Sequence, residues 1–377
     1  MRVTHLTPSG EIGGAEAVIL GCIGVGDGWP GAKSSVVALG PGPFLAAAEG
    51  LGATTRIIEP PATFAAIGDS FASSGAVIRA LLPALWGFPG FFRQFAGTVQ
   101  ALLPQVVHSH GIKTHVLGAL LPRRAPVVWH LHDYLGMRSV SSVLIRLLAH
   151  RCALAIAVSE SVAQDARRRL PAGFPIVVVH NSVDCDRFHP DGPTLDLDSL
   201  SGLAPAPAGT LRIGLPATFA RWKGHEVFLN AIARIDRPNV RAYVIGGAVY
   251  QTRNSQWSEA ELRSLVTNLG LEGCVGFTGF LPDMPAAYRA LDIVVHASTR
   301  PEPFGLVIAE AMACARALVA APTGGAAELF VHGQHALAAT SGDSEALAAA
   351  LSVLVDDPNE RAAVGVRARA RTRDFRA

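Results

Sequence analysis

Residues 299–313 read TRPEPFGLVIAEAMA and carry two carboxylates, Glu302 and Glu310. Glu302 stands between two prolines. Glu310 stands inside the apolar run LVIAEAMA, where a core residue would be expected. A charged side chain is almost never buried without a partner, so Glu310 requires one, either elsewhere in the protein or in a ligand. Pro301 and Pro303 discourage a helix before about Phe304. Gly305 allows close approach of backbone to a ligand, and the apolar residues that follow predict a helix from about Phe304 through Ala313. Glu302 then lies just ahead of the free N–H groups of the first turn. Glu310 lies about 12 Å further along if the whole segment is helical. Two carboxylates working on one glycosidic bond sit closer than that. The spacing suits two parts of one long ligand, such as two sets of hydroxyls flanking a phosphate.

Other stretches offer complementary chemistry. In SGEIGGAEAVIL (9–20), Gly13 and Gly14 precede a helix whose N-terminal N–H groups can receive a phosphate. The pattern is not GxGxxG, so a dinucleotide fingerprint is absent; a plain tight turn is the competing reading. VVWHLHDYLG (127–136) ends a strand in His130, His132 and Asp133, and VVHSHG (106–111) presents His108 and His110 in the same way. His132 followed by Asp133 could be an oriented acid or base, against satisfied structural histidines. A histidine metal site is the minority reading, and no metal is expected. In ATFARWKGHEVFLNAIARI (217–235), Arg221 and Lys223 lie in a loop ahead of a helix, two cations suited to a diphosphate. A solvated loop is the plain alternative.

These residues need elements to hold them. Short β-branched runs alternate with longer helical patterns: RVTHL, KSSVVALG, TTRIIE, QVVHSH, APVVWHLH, LAIAVS and PIVVVHN, then LRIGLPA, VRAYVIGG, CVGFTG, DIVVHAS and RALVAA. Strands alternating with helices predict parallel sheets. Between the two sets, residues 190–210 (PDGPTLDLDSLSGLAPAPAGT) are rich in Pro, Gly and Asp and read as a linker. The expected architecture is α/β: two doubly wound, Rossmann-like domains, 1–189 and 211–377, facing a central cleft. Ligands of such sheets bind outside the carboxyl ends of the strands.

Composition narrows the function. Of 377 residues, 50% are hydrophobic and 16% charged, enough apolar material for two cores. A net charge of +2 argues against nucleic acid. Five scattered cysteines without a CxxC pair read as reduced thiols of a cytosolic protein, and MRVTHLTPSG is not a signal peptide. The most apolar stretch, LLPALWGFPGFF (81–92), reads as a helix hairpin packed on the first domain. Peripheral contact with the inner membrane face or a lipid-linked substrate is the alternative. The arginines at 361, 367, 369, 371, 373 and 376 read as a solvated helix face rather than a lipid-binding patch. Two D-x-D strings, Asp184–Asp186 and Asp196–Asp198, lie in or near the linker and read as structural.

STRPEPFGLVIAEAMA resembles the E-x7-E signature of family 4 of the retaining glycosyltransferases, which have the GT-B fold. IGGAE, PVVWHLHD, VVVHNSVDCDRFHP, RWKGHEVFLNA, GFLPDMPAAYRALDIVVHAS and PTGGAAEL are similar to further family segments in the same order. The resemblance implies transfer of a hexosyl unit from a UDP- or GDP-sugar to a hydroxyl acceptor (a glycan, glycolipid or small molecule), without a metal cofactor. It implies that Glu302 and the backbone of Phe304, Gly305 and Leu306 face the donor sugar. Glu310 would accept hydrogen bonds from the ribose, and Gly14 and Lys223 would contact the diphosphate beside Gly13. His132 would lie by the reacting carbon, and the acceptor would attack from the front face. Thr218 stands where the family usually has arginine, and Arg221 is the nearest cation to replace it. The chain also stops at RTRDFRA, about where a helix of the family crosses back onto the first domain; a truncated end or looser domain pairing is expected. A nucleotide-sugar epimerase and a non-catalytic sugar-nucleotide-binding protein are the rival readings.

Overall fold

The structure, a computed structural model, describes residues 1–26, 30–61, 74–137, 139–235, 237–248 and 255–375. The chain divides into two compact units, Met1–Asn181 and Ser182–Ala377.

In the first unit seven strands form one sheet: β1 (Arg2–Thr7), β2 (Lys33–Ala38), β3 (Thr54–Ile57), β4 (Val106–His110), β5 (Val127–Leu131), β6 (Leu154–Ala157) and β7 (Ile176–Val178). Their order is β3-β2-β1-β4-β5-β6-β7, and every pair is parallel. The direction of winding reverses between β1 and β4. That leaves a crevice at the carboxyl ends of these two strands, the place where such sheets take ligands. All seven strand candidates of the first half of the sequence are strands.

The second unit repeats the plan with β8 (Leu211–Pro216), β9 (Val240–Ile245), β10 (Val275–Gly279), β11 (Ile293–His296), β12 (Ala317–Ala320) and β13 (Leu337–Ala338). Their order is β10-β9-β8-β11-β12-β13, all parallel, so the switch point falls between β8 and β11. β11 and β12 are buried at every residue, as parallel strands covered on both faces must be. β13 is the one strand the sequence did not announce; two residues carry no periodicity.

Two expectations need correcting. Residues 190–210 are not a free linker but part of the second unit. Asp196 caps the helix Leu197–Ser201 by accepting from the Ser199 amide at 3.1 Å. Asp198 is buried, with Arg241 at 2.6 Å and Arg212 at 3.2 Å on its two oxygens, and it accepts from the Tyr243 hydroxyl at 2.6 Å. Burial pushes its carboxyl up, but the Tyr243 and arginine hydrogen bonds outweigh this and hold it at about 2. The segment is tied down by charge, which a reading of apolar periodicity cannot detect. Asp184 likewise accepts from the backbone amides of Asp186 and Arg187, each at 3.0 Å. Both D-x-D strings are therefore engaged with the second unit's own groups.

The second correction is the helix hairpin over 81–92. One helix, Ser74–Ala101, runs through both prolines; the side chains of residues 81–86 lie outside the described residues. Phe91, Phe95 and Val99 bury one face of its C-terminal half, and that burial outweighs the helix-breaking tendency of Pro89. Among the described residues no helix is long and apolar enough to cross a membrane. The C-terminal arginines hold carbonyls or carboxylates within their own unit: Arg361 on Leu354, Arg367 on Gln334 and Glu360, Arg369 on Ala313, and Arg371 on Asp374. Arg376 lies outside the described residues.

Candidate functional site

At the switch point of the second unit, three donors converge on one carboxylate oxygen. Glu302 Oε2 lies 2.7 Å from Lys223 Nζ, 3.0 Å from His296 Nε2 and 2.9 Å from the Ser298 hydroxyl. Lys223 comes from the loop after β8, His296 ends β11, and Ser298 and Glu302 follow it. The Glu302 backbone is fixed as well: its N–H donates to the Thr323 carbonyl at 3.2 Å, and its carbonyl accepts from Gly325 at 2.7 Å. Glu302 is buried at 6% exposure. Burial alone would raise its pKa, but the Lys223 ammonium and the His296 hydrogen bond outweigh it and hold the carboxyl well below the ordinary range. The group is a fixed, permanent anion at neutral pH.

The loop that delivers Lys223 depends on one glycine. Gly224 has φ +78°, and a Cβ there would collide with the Ala297 carbonyl. Thr299 donates its N–H to the Trp222 carbonyl at 2.7 Å, which ties the two loops together. Gly305, at φ +100°, precedes the helix Leu306–Ala313. Among the described residues no side chain caps that helix, and although the Ile308 N–H donates to the Gly305 carbonyl at 2.9 Å, the Leu306 and Val307 N–H groups are left for an anion or a hydroxyl. The helix starts two residues later than expected.

Glu310 is half-buried on this helix and accepts from the buried Tyr288 hydroxyl at 2.7 Å. Its partner within the protein is thus a phenol, which the sequence reading missed. Burial pushes its carboxyl up to about 7, against the lowering effects of the Tyr288 hydrogen bond and the Arg187 charge.

Arg221 does not share the Glu302 cluster. Its guanidinium pairs with Glu261 at 2.8 Å and lies over the Trp257 ring, 3.8 Å from the centroid. The family resemblance implies that it replaces the arginine missing at Thr218; in the structure its charge already has a carboxylate and an aromatic face. Thr218 is half-buried just beyond β8.

In the first unit, Gly13 is the N-cap of the helix Gly14–Gly24. The buried Glu16 accepts from the Gly13 amide at 3.2 Å and from the Thr7 hydroxyl at 2.8 Å. One helix-terminal donor is therefore already occupied, while Gly14 is exposed. His132 is half-buried just past β5, whereas His130 is 5% exposed and among the described residues neither of its ring nitrogens has a hydrogen-bond partner. The two rings stack 4.2 Å apart, on the same face of the sheet as expected. Burial lowers His132 to about 3, so its imidazole is neutral at physiological pH.

Sequence reasoning missed His296, Ser298, Tyr288 and Glu16 as parts of these sites. The first could have been found: DIVVHAS ends a fully apolar strand in a histidine, the same signal that singled out His130 and His132.

The family model of glycosyl transferases group 1 matches residues 206–371, and that of Glycosyltransferase Family 4 matches residues 31–187. Among curated proteins, the lipopolysaccharide core biosynthesis mannosyltransferase LpcC of Rhizobium leguminosarum is 31% identical over 49% of this chain and 51% of its own length. This chain thus spans about half the length of that relative. LpsB of Rhizobium meliloti, a mannosyltransferase of the same description, is 27% identical over 75% of this chain and 91% of its own length. Among solved structures, Anabaena Alr3699/HepE in complex with UDP-glucose superimposes with a TM-score of 0.82 at 27% identity, covering 100% of this chain and 96% of that one.

Proposed function

This chain belongs to the family 4 glycosyltransferases of GT-B fold, and we propose that it moves a hexosyl unit from a nucleoside-diphosphate sugar to a hydroxyl acceptor with retention of anomeric configuration. The observation that carries the proposal is the Lys223–Glu302 pair at the switch point of the second unit, beside an uncapped helix N-terminus. A fixed carboxylate accepts hydrogen bonds from sugar hydroxyls. An ammonium has three donors, so Lys223 can keep Glu302 while giving another to a phosphate. Glu310, a helix length away, takes the ribose hydroxyls.

Breaking the sugar–phosphate bond places positive charge on the sugar and negative charge on the diphosphate. Lys223 and the helix N–H groups lie ready for the latter, and preorganised charge of this kind lowers the barrier directly. Three donors already hold Glu302 Oε2 and lower its nucleophilicity, which suits a group that binds sugar hydroxyls rather than one that attacks the sugar. Attack by the acceptor on the face that the diphosphate leaves is the route consistent with this. In the first unit, His132 is assigned to the reacting carbon and acceptor, and Gly14 to the diphosphate. The relatives named above bind UDP-glucose or move mannose, which supports a UDP- or GDP-hexose donor and a glycolipid or envelope-glycan acceptor.

The test is a panel of UDP-, GDP- and ADP-sugars assayed for free nucleoside diphosphate with and without hydroxyl acceptors. Acceptor-dependent release from one donor is expected. Donor interconversion without release would indicate an epimerase, and binding without any turnover a non-catalytic binder.

Two further outcomes follow. Turnover should survive EDTA, because the diphosphate is assigned to Lys223 and backbone N–H groups, while Asp184 and Asp198 hold internal partners. Loss of turnover restored by magnesium or manganese would contradict this. His132→Ala should lower kcat by at least about tenfold, within the range for a positioned acid–base group, and leave the donor Kd nearly unchanged. Steady-state kinetics paired with calorimetry separates the two quantities. A change confined to Kd would remove His132 from the reacting centre.

A further inference from the structure

Five imidazoles crowd one face of the first unit's sheet at its switch point. The strand register explains why. His5 on β1 pairs with His108 on β4, and His110 on β4 pairs with His130 on β5. His108 and His110 alternate along one strand, as do His130 and His132 along and just past the next, so all five point the same way. Ring centroids lie 4.3 Å apart for His108 and His110, 5.1 Å for His108 and His130, and 5.2 Å for His110 and His132. Packing of this kind is costly for polar rings without partners, and His130 is buried with both nitrogens unpartnered among the described residues.

We propose that His110, His130 and His132 bind a first-row transition ion of the zinc class, with His5 as an outer partner. Each of the three offers one ring nitrogen, and these nitrogens lie within 4.8 Å of one another. His110 Nδ1 and His132 Nε2 are already 2.9 Å apart; two ligands of a tetrahedral zinc site, with bonds of about 2.0–2.1 Å, are about 3.3 Å apart. Small ring rotations close the set. His5 Nδ1 lies 3.3 Å from His110 Nε2. With the proton of His110 on Nε2 and donated to His5, its Nδ1 lone pair faces the cluster, the outer-shell arrangement that orients metal-bound histidines. His132 then carries its proton on Nδ1 and ligates through Nε2. Imidazole-only ligation selects zinc, cobalt, nickel or copper over magnesium and calcium.

The ion has no step in sugar transfer. It would take the lone pair of His132, so metal occupancy and the role given to His132 above exclude each other; this last point rests on the proposed function, whereas binding does not.

The experiment titrates EDTA-stripped whole protein with Co²⁺, followed by absorption, and with Zn²⁺, followed by calorimetry. One ion per chain is expected, with ligand-field bands of a nitrogen-ligated tetrahedral or five-coordinate site and no thiolate charge-transfer band. His130→Gln and His110→Gln should each weaken Zn²⁺ binding at least tenfold, with circular dichroism confirming the fold. No saturable binding, a thiolate band, or affinity unchanged in both folded variants would overturn the site. Turnover measured in the same titration should fall as the site fills. Stoichiometric binding with turnover intact would uphold the site and remove His132 from the reaction.

Discussion

Lys223→Ala is expected to lower kcat by about a hundred- to a thousandfold, the usual loss when one preorganised stabiliser of developing charge is removed. Two effects add. In the proposed role the diphosphate loses a fixed cation, and Glu302 loses the 2.7 Å partner that offsets its burial. Glu302 keeps His296 and Ser298 but loses the charge that most offsets its burial, so its carboxyl is pushed up and its hold on sugar hydroxyls weakens. Arg221→Ala should by contrast stay within about threefold, because exposed ion pairs contribute little and the guanidinium is engaged with Glu261 and Trp257. Parallel kinetics on the two variants decides the assignment. Equal losses would return Arg221 to the diphosphate; a small effect at Lys223 would remove the cation from the mechanism. Thr218→Arg added to Lys223→Ala should recover part of the rate, since it restores the charge at the position where arginine is usual in the family.

Glu310→Ala should weaken donor binding by about 1.5–3 kcal/mol, the worth of hydrogen bonds to a charged group, or roughly ten- to 150-fold in Kd. The same carboxylate makes donor affinity depend on pH. Its pKa is raised to about 7 by burial. In the proposed role the ionised form accepts from two ribose hydroxyls, and the protonated form gives up part of that capacity. Donor affinity should therefore be full above pH 7 and fall as pH drops through about 7, by at most about tenfold per unit. Calorimetry across pH 5.5–8.5 should show this slope in the wild type and none in Glu310→Ala. A wild-type profile that is flat, or that rises toward acid, would exclude Glu310 from the ribose.

The strands were legible because a covered parallel strand is a short apolar run between breakers, and such runs stand out in one pass of the sequence. The two carboxylates were legible for the opposite reason, as charges where apolar residues belong. What could not be read was pairing at a distance. Lys223 and Glu302 are 79 positions apart, and nothing local says that His296 and Ser298 share the same oxygen. Glu310 called for a partner, but only packing shows that Tyr288 supplies one. Arg221 was given a free charge by sequence logic, whereas Glu261, 40 positions on, had already claimed it. The histidines showed the same limit: two pairs were visible as strand ends, but the register that adds His5 and merges all five belongs to the folded sheet. The linker assignment failed where Pro, Gly and Asp, normally signs of open chain, serve as caps and ion-pair anchors.

The most direct test of the central claim is proton NMR of a single reaction containing the productive nucleoside-diphosphate α-sugar, a hydroxyl acceptor and the wild-type chain. An α-anomeric product signal should grow at the same rate as free nucleoside diphosphate, and both should stop together when the acceptor is exhausted. A β-anomeric product would contradict retention. Donor consumed with no glycosylated acceptor, or converted to an isomeric nucleotide sugar, would contradict glycosyl transfer itself.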